Sequence, residues 1–117
     1  MTSYSECIFC KIASRKMPAT LLYEDSQMVA IADINPVAPK HILLIPKEHI
    51  ESLNDVNKEH LSLLGQIQLV AAELAREAGI AASGYRLVCN CGDDGGQTVP
   101  HLHYHLLSGR TMLWPPG

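Results

Sequence analysis

Three histidines recur at every second position in the run His101-Leu102-His103-Tyr104-His105-Leu106-Leu107. An extended chain throws alternate side chains to opposite faces. All three imidazoles would then line one face at steps of roughly 6.5–7 Å, with Leu102, Tyr104 and Leu106 on the other. Near neutral pH an imidazole can be a nucleophile, a base, an acid or a metal ligand. Three of the chain's six histidines fall within five residues, which marks a site rather than a scatter of solvated side chains.

Two chemistries suit this row. His-x-His on a strand supplies two ring nitrogens to zinc. Alternatively, the middle imidazole attacks covalently and its neighbours orient it. Spacing alone leaves both open. Just upstream, Gly92-Asp93-Asp94-Gly95-Gly96-Gln97-Thr98 is rich in glycine. Such a loop can aim backbone N–H groups at an anion, and Gln97 and Thr98 add side-chain donors. By itself this is an ordinary turn between strands; beside the histidine row it points to phosphate chemistry.

The elements that must hold these residues follow from pattern. Residues 5–13 read as a short helix with Ser5 as its cap, ended by Pro18. Leu21 to Glu24 and Gln27 to Ala32 read as strands joined by a tight Asp25-Ser26 turn, and His41 to Pro46 as a third strand. From about Asn57 to Ala78, apolar Leu64, Ile67, Val70, Ala71, Leu74 and Ala78 recur at steps of three and four, which predicts an amphipathic helix stopped by Gly79. His60, at its exposed-looking start, receives no role. Tyr85 to Cys91 and His101 to Leu107 complete a sheet of about five strands. Strands, one long helix and a closing hairpin make an α+β arrangement with an antiparallel sheet. With 117 residues and no repeat or linker, one domain spanning 1–117 is expected.

Net charge is −3 and no run of basic residues occurs, which argues against a nucleic-acid polymer as partner and fits a small ligand. No stretch approaches the roughly 18–20 apolar residues of a membrane span. The N-terminus lacks a basic-then-apolar signal, so a cytoplasmic location is expected. The four cysteines fall in two pairs, Cys7/Cys10 and Cys89/Cys91. In that compartment a Cys-x-x-Cys pair suggests metal or redox chemistry more than a structural disulfide. A thioredoxin-like role would want a strand before the motif, and only six residues precede Cys7. A four-cysteine metal site with Cys89 and Cys91 is the rival to a mixed Cys/His one. On a strand those two cysteines share one face while Asn90 points to the other.

His101-x-His103-x-His105 followed by Leu106-Leu107 resembles the signature of the histidine-triad (HIT) superfamily of nucleotide hydrolases and transferases. Further blocks resemble the family in order: Cys7-Ile8-Phe9-Cys10-Lys11-Ile12, Asp33-Ile34-Asn35-Pro36-Val37-Ala38-Pro39, His41 through His49, Gly84 through Asn90, and Gly95-Gly96-Gln97. The ending, Ser108 through Gly117, is similar to the Hint-like branch, the purine nucleoside phosphoramidases. That resemblance implies a HIT-type sheet pairing into a homodimer with one continuous sheet. It implies hydrolysis of the P–N bond of purine nucleoside 5′-phosphoramidates through a nucleotidyl-imidazole on His103. A dinucleoside polyphosphate hydrolase and a nucleotide-binding module with incidental turnover are the alternatives. A uridylyltransferase fits less well, since that branch replaces the third histidine by glutamine and this chain keeps His105.

By the same resemblance His105 orients His103 or stabilises charge, and His41 serves positioning or proton transfer. Asn90, Gly96, Gln97 and Thr98 match positions that hold the phosphate and leaving group. Asp33 is matched to the ribose hydroxyls, and Phe9, Ile12, Ile31 and Ile34 match or neighbour the pocket for the base. Trp114 resembles a family residue that reaches toward the substrate across the dimer. To attack, His103 must carry its proton on the other nitrogen, donated to a fixed acceptor, for which a backbone carbonyl is the expected group. Family members with Cys-x-x-Cys bind zinc with two histidines, which match His49 and His101 beside Cys7 and Cys10. Such a closed Cys2His2 set is structural rather than catalytic. No organic cofactor and no membrane partner is expected. Many Hint-branch proteins lack the cysteines, so this chain joins a Hint-like ending to a zinc-type beginning.

Overall fold

A computed structural model describes residues 6–117. Ser5 lies outside these residues. The short helix α1 (Ile8–Ala13) is capped by Cys7, whose Sγ accepts the Cys10 N–H at 3.4 Å. Strands β1 (Leu21–Glu24), β2 (Met28–Ala32) and β3 (Lys40–Pro46) follow, joined first by an Asp25 turn. The Asp25 carboxylate accepts the Gln27 and Met28 N–H groups at 2.7 and 2.9 Å, which closes that turn and starts β2 one residue later than the pattern suggests.

The long helix α2 spans Leu61–Glu77. The turn before it, Lys58–His60, is a 3-10 helix closed by reciprocal bonds between Asn57 and His60. His60 is therefore buried and structural rather than an exposed bystander. Its Nδ1 accepts the Asn57 N–H at 3.1 Å and its Nε2–H donates to Glu48 at 3.1 Å. Leu63, Ile67, Val70, Ala71, Leu74 and Ala75 form the buried face of α2. Leu64 is only partly buried, and Ala78 is exposed at the C-cap, where the chain leaves the sheet. Gly79 then adopts φ 74, a left-handed geometry that favours glycine.

The last two strands are shorter than expected. β4 covers only Arg86–Val88 and β5 Tyr104–Ser108, so Cys89 to Cys91 and His101 to His103 lie outside the ladder. All pairings are antiparallel in the order β1-β2-β3-β5-β4. On one face Met28, Ala30, Ile42, Leu44, Leu102 and Leu106 pack against α2. On the other, Val29, Ile31, Leu43 and Ile45 pack against Cys7, Phe9 and Ala13 of the α1 segment. Each fully buried aliphatic side chain contributes about 1.5–3 kcal/mol, so this two-sided core is what holds the sheet rigid beneath the histidines. Among the described residues no helix is long and apolar enough to cross a membrane.

Candidate active site and metal cluster

The face of the sheet that carries α1 also carries the chemistry. Opposite residues of antiparallel strands share a face, so Leu43 and His105 sit side by side between β3 and β5, with His41 two residues along β3. His103 enters from the extended segment before β5. Phe9 packs its ring edge-on against both His103 and His101, with centroids 4.8 and 5.9 Å away. The period-two row thus survives although only its last member is in the ladder. Tyr104 and Leu106 turn to the helix side, as does Leu102.

Hydrogen bonds assign the proton on each ring. His103 Nδ1 lies 2.6 Å from the backbone oxygen of His101, which can only accept, so the proton sits on Nδ1 and the Nε2 lone pair is free. Burial pushes the His103 pKa down, opposed by that carbonyl and by Asp33, so the ring is neutral at pH 7. His41 Nδ1 accepts the Val37 N–H at 3.2 Å, leaving its proton on Nε2. That Nε2–H faces His105 Nδ1 at 2.9 Å, with Asp33 Oδ2 at 3.4 Å. His105 therefore carries its own proton on Nε2. Its pKa is pushed down to about 4, first by burial and then by His103 and His41.

These rings open on a cleft of about 440 Å³, within the size range of small-molecule sites. Ile8, Phe9, Ile12, Met17, Pro18 and Ile31 supply apolar walls; Asp33, Ile34, Thr98, His41, His103 and His105 also line it. Asp33 is held by the Asn35 N–H, which donates to Oδ1 at 2.7 Å. Residue types and spacing did not single out Met17, Pro18 and Ile8 as wall residues, nor the Val37 amide as a donor. The apolar stretch around Pro18 signals a chain reversal and nothing more, and a backbone donor has no side-chain signature.

Other expected residues lie elsewhere. Asn90 Nδ2 donates to Gly95 O at 2.7 Å. Gln97 Nε2 donates to Glu51 O and Val99 O at 2.6 and 3.0 Å, and its Oε1 accepts the Gly92 N–H at 3.1 Å. The Gly96 and Gln97 amides bond back to Asp93 O and Gly92 O, so these loop donors serve the loop itself rather than converging freely on an anion. Gly95 is required here, since a Cβ would meet Cys91 O at 2.2 Å. Trp114 is 82% exposed and does not line the cleft of its own chain.

A second cluster lies beside the first. Cys7 Sγ is 3.2 Å from His101 Nδ1, Cys10 Sγ is 3.2 Å from His49 Nδ1, and Cys10 Sγ is 3.5 Å from His101 Nδ1. One ligand atom from each of the four residues lies within 4.8 Å of all the others. The donor chemistry fits a divalent metal. His101 Nε2–H donates to Pro46 O at 2.8 Å, which leaves Nδ1 as a lone pair aimed at the thiols. Burial drives the His101 pKa down to about 4, so the ring is neutral and ready to ligate. Burial and the adjacent Cys7 push the Cys10 thiol up to about 11, a cost that a nearby cation would reverse. Cys89 and Cys91 do not join this set. Cys89 packs on the helix side of the sheet, which separates it from α1 and removes the four-cysteine alternative.

A small antiparallel α+β domain with three histidines over a nucleotide-sized cleft defines a class of phosphate-transfer proteins, and similarity to known proteins narrows the class to a family. A family model described as the C-terminal binding region of the scavenger mRNA decapping enzyme matches residues 6–113. The purine nucleoside phosphoramidase of Escherichia coli strain K12 is 48% identical over 107 residues, covering 92% of this chain and 90% of that protein. The crystal structure of a HIT family hydrolase from Legionella pneumophila superposes with a TM-score of 0.93 at 51% identity, covering 95% of this chain and 99% of that one. A zinc-bound histidine-triad protein from Mycobacterium smegmatis gives a TM-score of 0.79 at 36% identity, covering 92% and 78%. The chain belongs to the histidine-triad family.

Proposed function

We propose that this chain hydrolyses purine nucleoside 5′-phosphoramidates to the nucleoside monophosphate and an amine. The observation that carries the reading is the 2.6 Å bond from His103 Nδ1 to the His101 carbonyl, beside a cleft with apolar walls and an acidic edge. That bond fixes the tautomer a nucleophile needs, and burial keeps the ring unprotonated. The base lies between Phe9, Ile12 and Ile31, with Ile34 at the rim. Asp33 accepts from the ribose hydroxyls, and Thr98 donates to the phosphate. His103 Nε2 attacks phosphorus and the P–N bond to the amine breaks. Water then attacks the nucleotidyl-imidazole, the bond to Nε2 breaks, and the monophosphate leaves.

His105 presents Nε2–H to the charge that develops on the phosphate oxygens. Passing that proton on would require His41 to follow, yet His41 Nδ1 is occupied by the Val37 N–H and would be left as an imidazolate. The pair therefore positions and donates hydrogen bonds, and the amine's proton comes from outside it. The Cys7–Cys10–His49–His101 cluster holds a structural zinc ion, supported by four convergent donors and by the His101 tautomer. The single domain works as a homodimer in which β4, with one partner strand in the protomer, continues the sheet. Asn90 and Gln97 brace the loop that carries Thr98 on the phosphate side, and the exposed Trp114 reaches the substrate across the dimer.

The test is AMP release from adenosine 5′-phosphoramidate by the parent protein and by a folded His103→Ala variant. Turnover should fall by about three orders of magnitude or more in the variant. Equal turnover in both would remove His103 as nucleophile. AMP binding without turnover in the parent would favour a binding module.

A further inference from the structure

Helix α1 separates two cavities. Phe9 and Ile12 face the nucleotide cleft, whereas Cys10 and Lys11 line a second cavity of about 720 Å³ together with Lys16, Lys47, Glu48 and His49. Two members of the Cys/His cluster, Cys10 and His49, are therefore reached from this second cavity. The other two are sealed: Cys7 is 2% exposed and His101 0%. If a metal is held there, its coordination sphere has one open side, and that side is this cavity.

The cavity also has a sign. Lys11, Arg15, Lys16 and Lys47 gather around α1, although the chain has only nine Lys and Arg and a net charge of −3. Lys47 is offset by Glu24 at 2.7 Å, and Arg15 pairs with the same carboxylate. Glu48 is turned to His60. Among the described residues Lys11 and Lys16 have no carboxylate within ion-pair distance, and with three lysines against the one carboxylate of Glu48 the cavity lining is positive on balance. A bare divalent cation approaching Cys10 and His49 meets this charge and is repelled. The same cation inside an anionic complex is attracted.

We propose that this lysine-lined cavity is the vestibule through which the cluster exchanges its metal, and that it favours a metal carried by an anionic chelator bearing carboxylates or phosphates. The inference rests on the metal reading of the cluster. Exchange is ligand substitution with no change of oxidation state. Donor atoms of the incoming chelator first replace Cys10 Sγ and His49 Nδ1, the two reachable ligands. Bonds to Cys7 Sγ and His101 Nδ1 break next. The two thiolates take up protons from water as the metal leaves, and loading returns those protons.

The experiment uses the zinc-loaded protein. Zinc content is measured first, and cobalt substitution is checked for the thiolate charge-transfer band. Zinc transfer is then timed to EDTA, which is polyanionic, and to a neutral pyridyl-amine chelator. The parent is compared with Lys11→Gln/Lys16→Gln and with a control, Arg76→Gln, on the exposed side of α2. Electrostatic focusing predicts that the double variant slows transfer to EDTA by about tenfold at low salt and leaves the neutral chelator unaffected. Salt near 0.5 M should erase most of the difference, because screening then acts over only a few ångströms. Equal slowing with both chelators, or an EDTA rate unmoved by the double variant, overturns the vestibule while leaving the metal site standing. Absence of bound zinc together with absence of the cobalt–thiolate band overturns both readings at once.

Discussion

Removing the metal proposed for the Cys/His cluster should destabilise the protein far more than it slows the reaction. His101 belongs to both sites: its ring faces Cys7 and Cys10, and its carbonyl holds the His103 proton at 2.6 Å. In the folded metal-free protein the direct route from cluster to nucleophile is therefore a shift of that carbonyl, while Phe9, between Cys7 and Cys10, links the cluster to the base pocket. A net hydrogen bond is worth about 0.5–1.5 kcal/mol, so complete loss of this one would lower kcat by about 2–12-fold. Stability changes by more. A ligand present at 100 to 1,000 times its Kd stabilises the native state by about 2.7–4.1 kcal/mol. For a domain of this size that is a fall in Tm of about 11–17 °C. The assay pairs thermal unfolding with phosphoramidate turnover at 20 °C, for the zinc-loaded protein, the chelated protein and Cys10→Ala. A folded metal-free protein whose kcat has dropped a thousandfold would refute the reasoning, because the metal would then take part in the reaction. An unchanged Tm would show that the four donors hold no metal.

Three further outcomes follow from the same geometry. Asp33→Asn should raise KM for ribonucleotide substrates by about 10–100-fold, the worth of a charge-assisted hydrogen bond, and should shrink the preference over 2′-deoxy substrates; an unchanged ribo/deoxy ratio would take Asp33 away from the ribose. His41→Ala should cost about 10²-fold in kcat through misplacement of His105, and His41→Gln, which keeps an N–H donor, should recover most of it; a Gln variant as slow as Ala would reinstate proton transfer at His41. His101 and His105 have folded pKa values near 4 against about 6.5 for an exposed imidazole. Below 6.5 the unfolded chain binds protons that the native state refuses. Their contribution is therefore intact above pH 6.5 and is lost as pH falls toward 4. Melting curves of the metal-free protein from pH 7.5 to 4.5 should decline over that window, and a flat profile would mean that the two rings are not buried neutral.

Much of the site was legible in residue order because the needed chemistry is borne by few side-chain types. Alternation placed the histidine row on one face, Cys-x-x-Cys marked the two thiols that the fold gathers with His49 and His101, and the three-and-four spacing located α2. Each of these is a local periodicity, and local periodicity is what a sequence encodes directly. Errors came where a single contact outweighs pattern. Cys7 caps α1 through its thiol, which accepts the Cys10 amide, a role that no pattern assigns to a cysteine. His60 was buried by a reciprocal bond with Asn57 and an anchor on Glu48. Leu63 and Ala75 took the buried arc where Leu64 and Ala78 were expected, because the direction in which a helix lies on its sheet is set by the sheet.

The sequence by itself determined the chemistry available: three imidazoles in a row, two thiols four residues wide, a carboxylate before an Asn-Pro turn, and a glycine-rich loop. Only the tertiary structure decided how that chemistry is divided. It sent His101 to the cysteines and His103 to the cleft, although both belong to one row. It assigned the ring protons through Val37, His101 and Pro46, three backbone groups that look alike in any sequence. The reason is physical. Which nitrogen carries a proton, and which face of a helix meets water, depend on groups up to about ninety residues away in the chain, as between Cys7 and His101. Those groups come together only when the sheet forms.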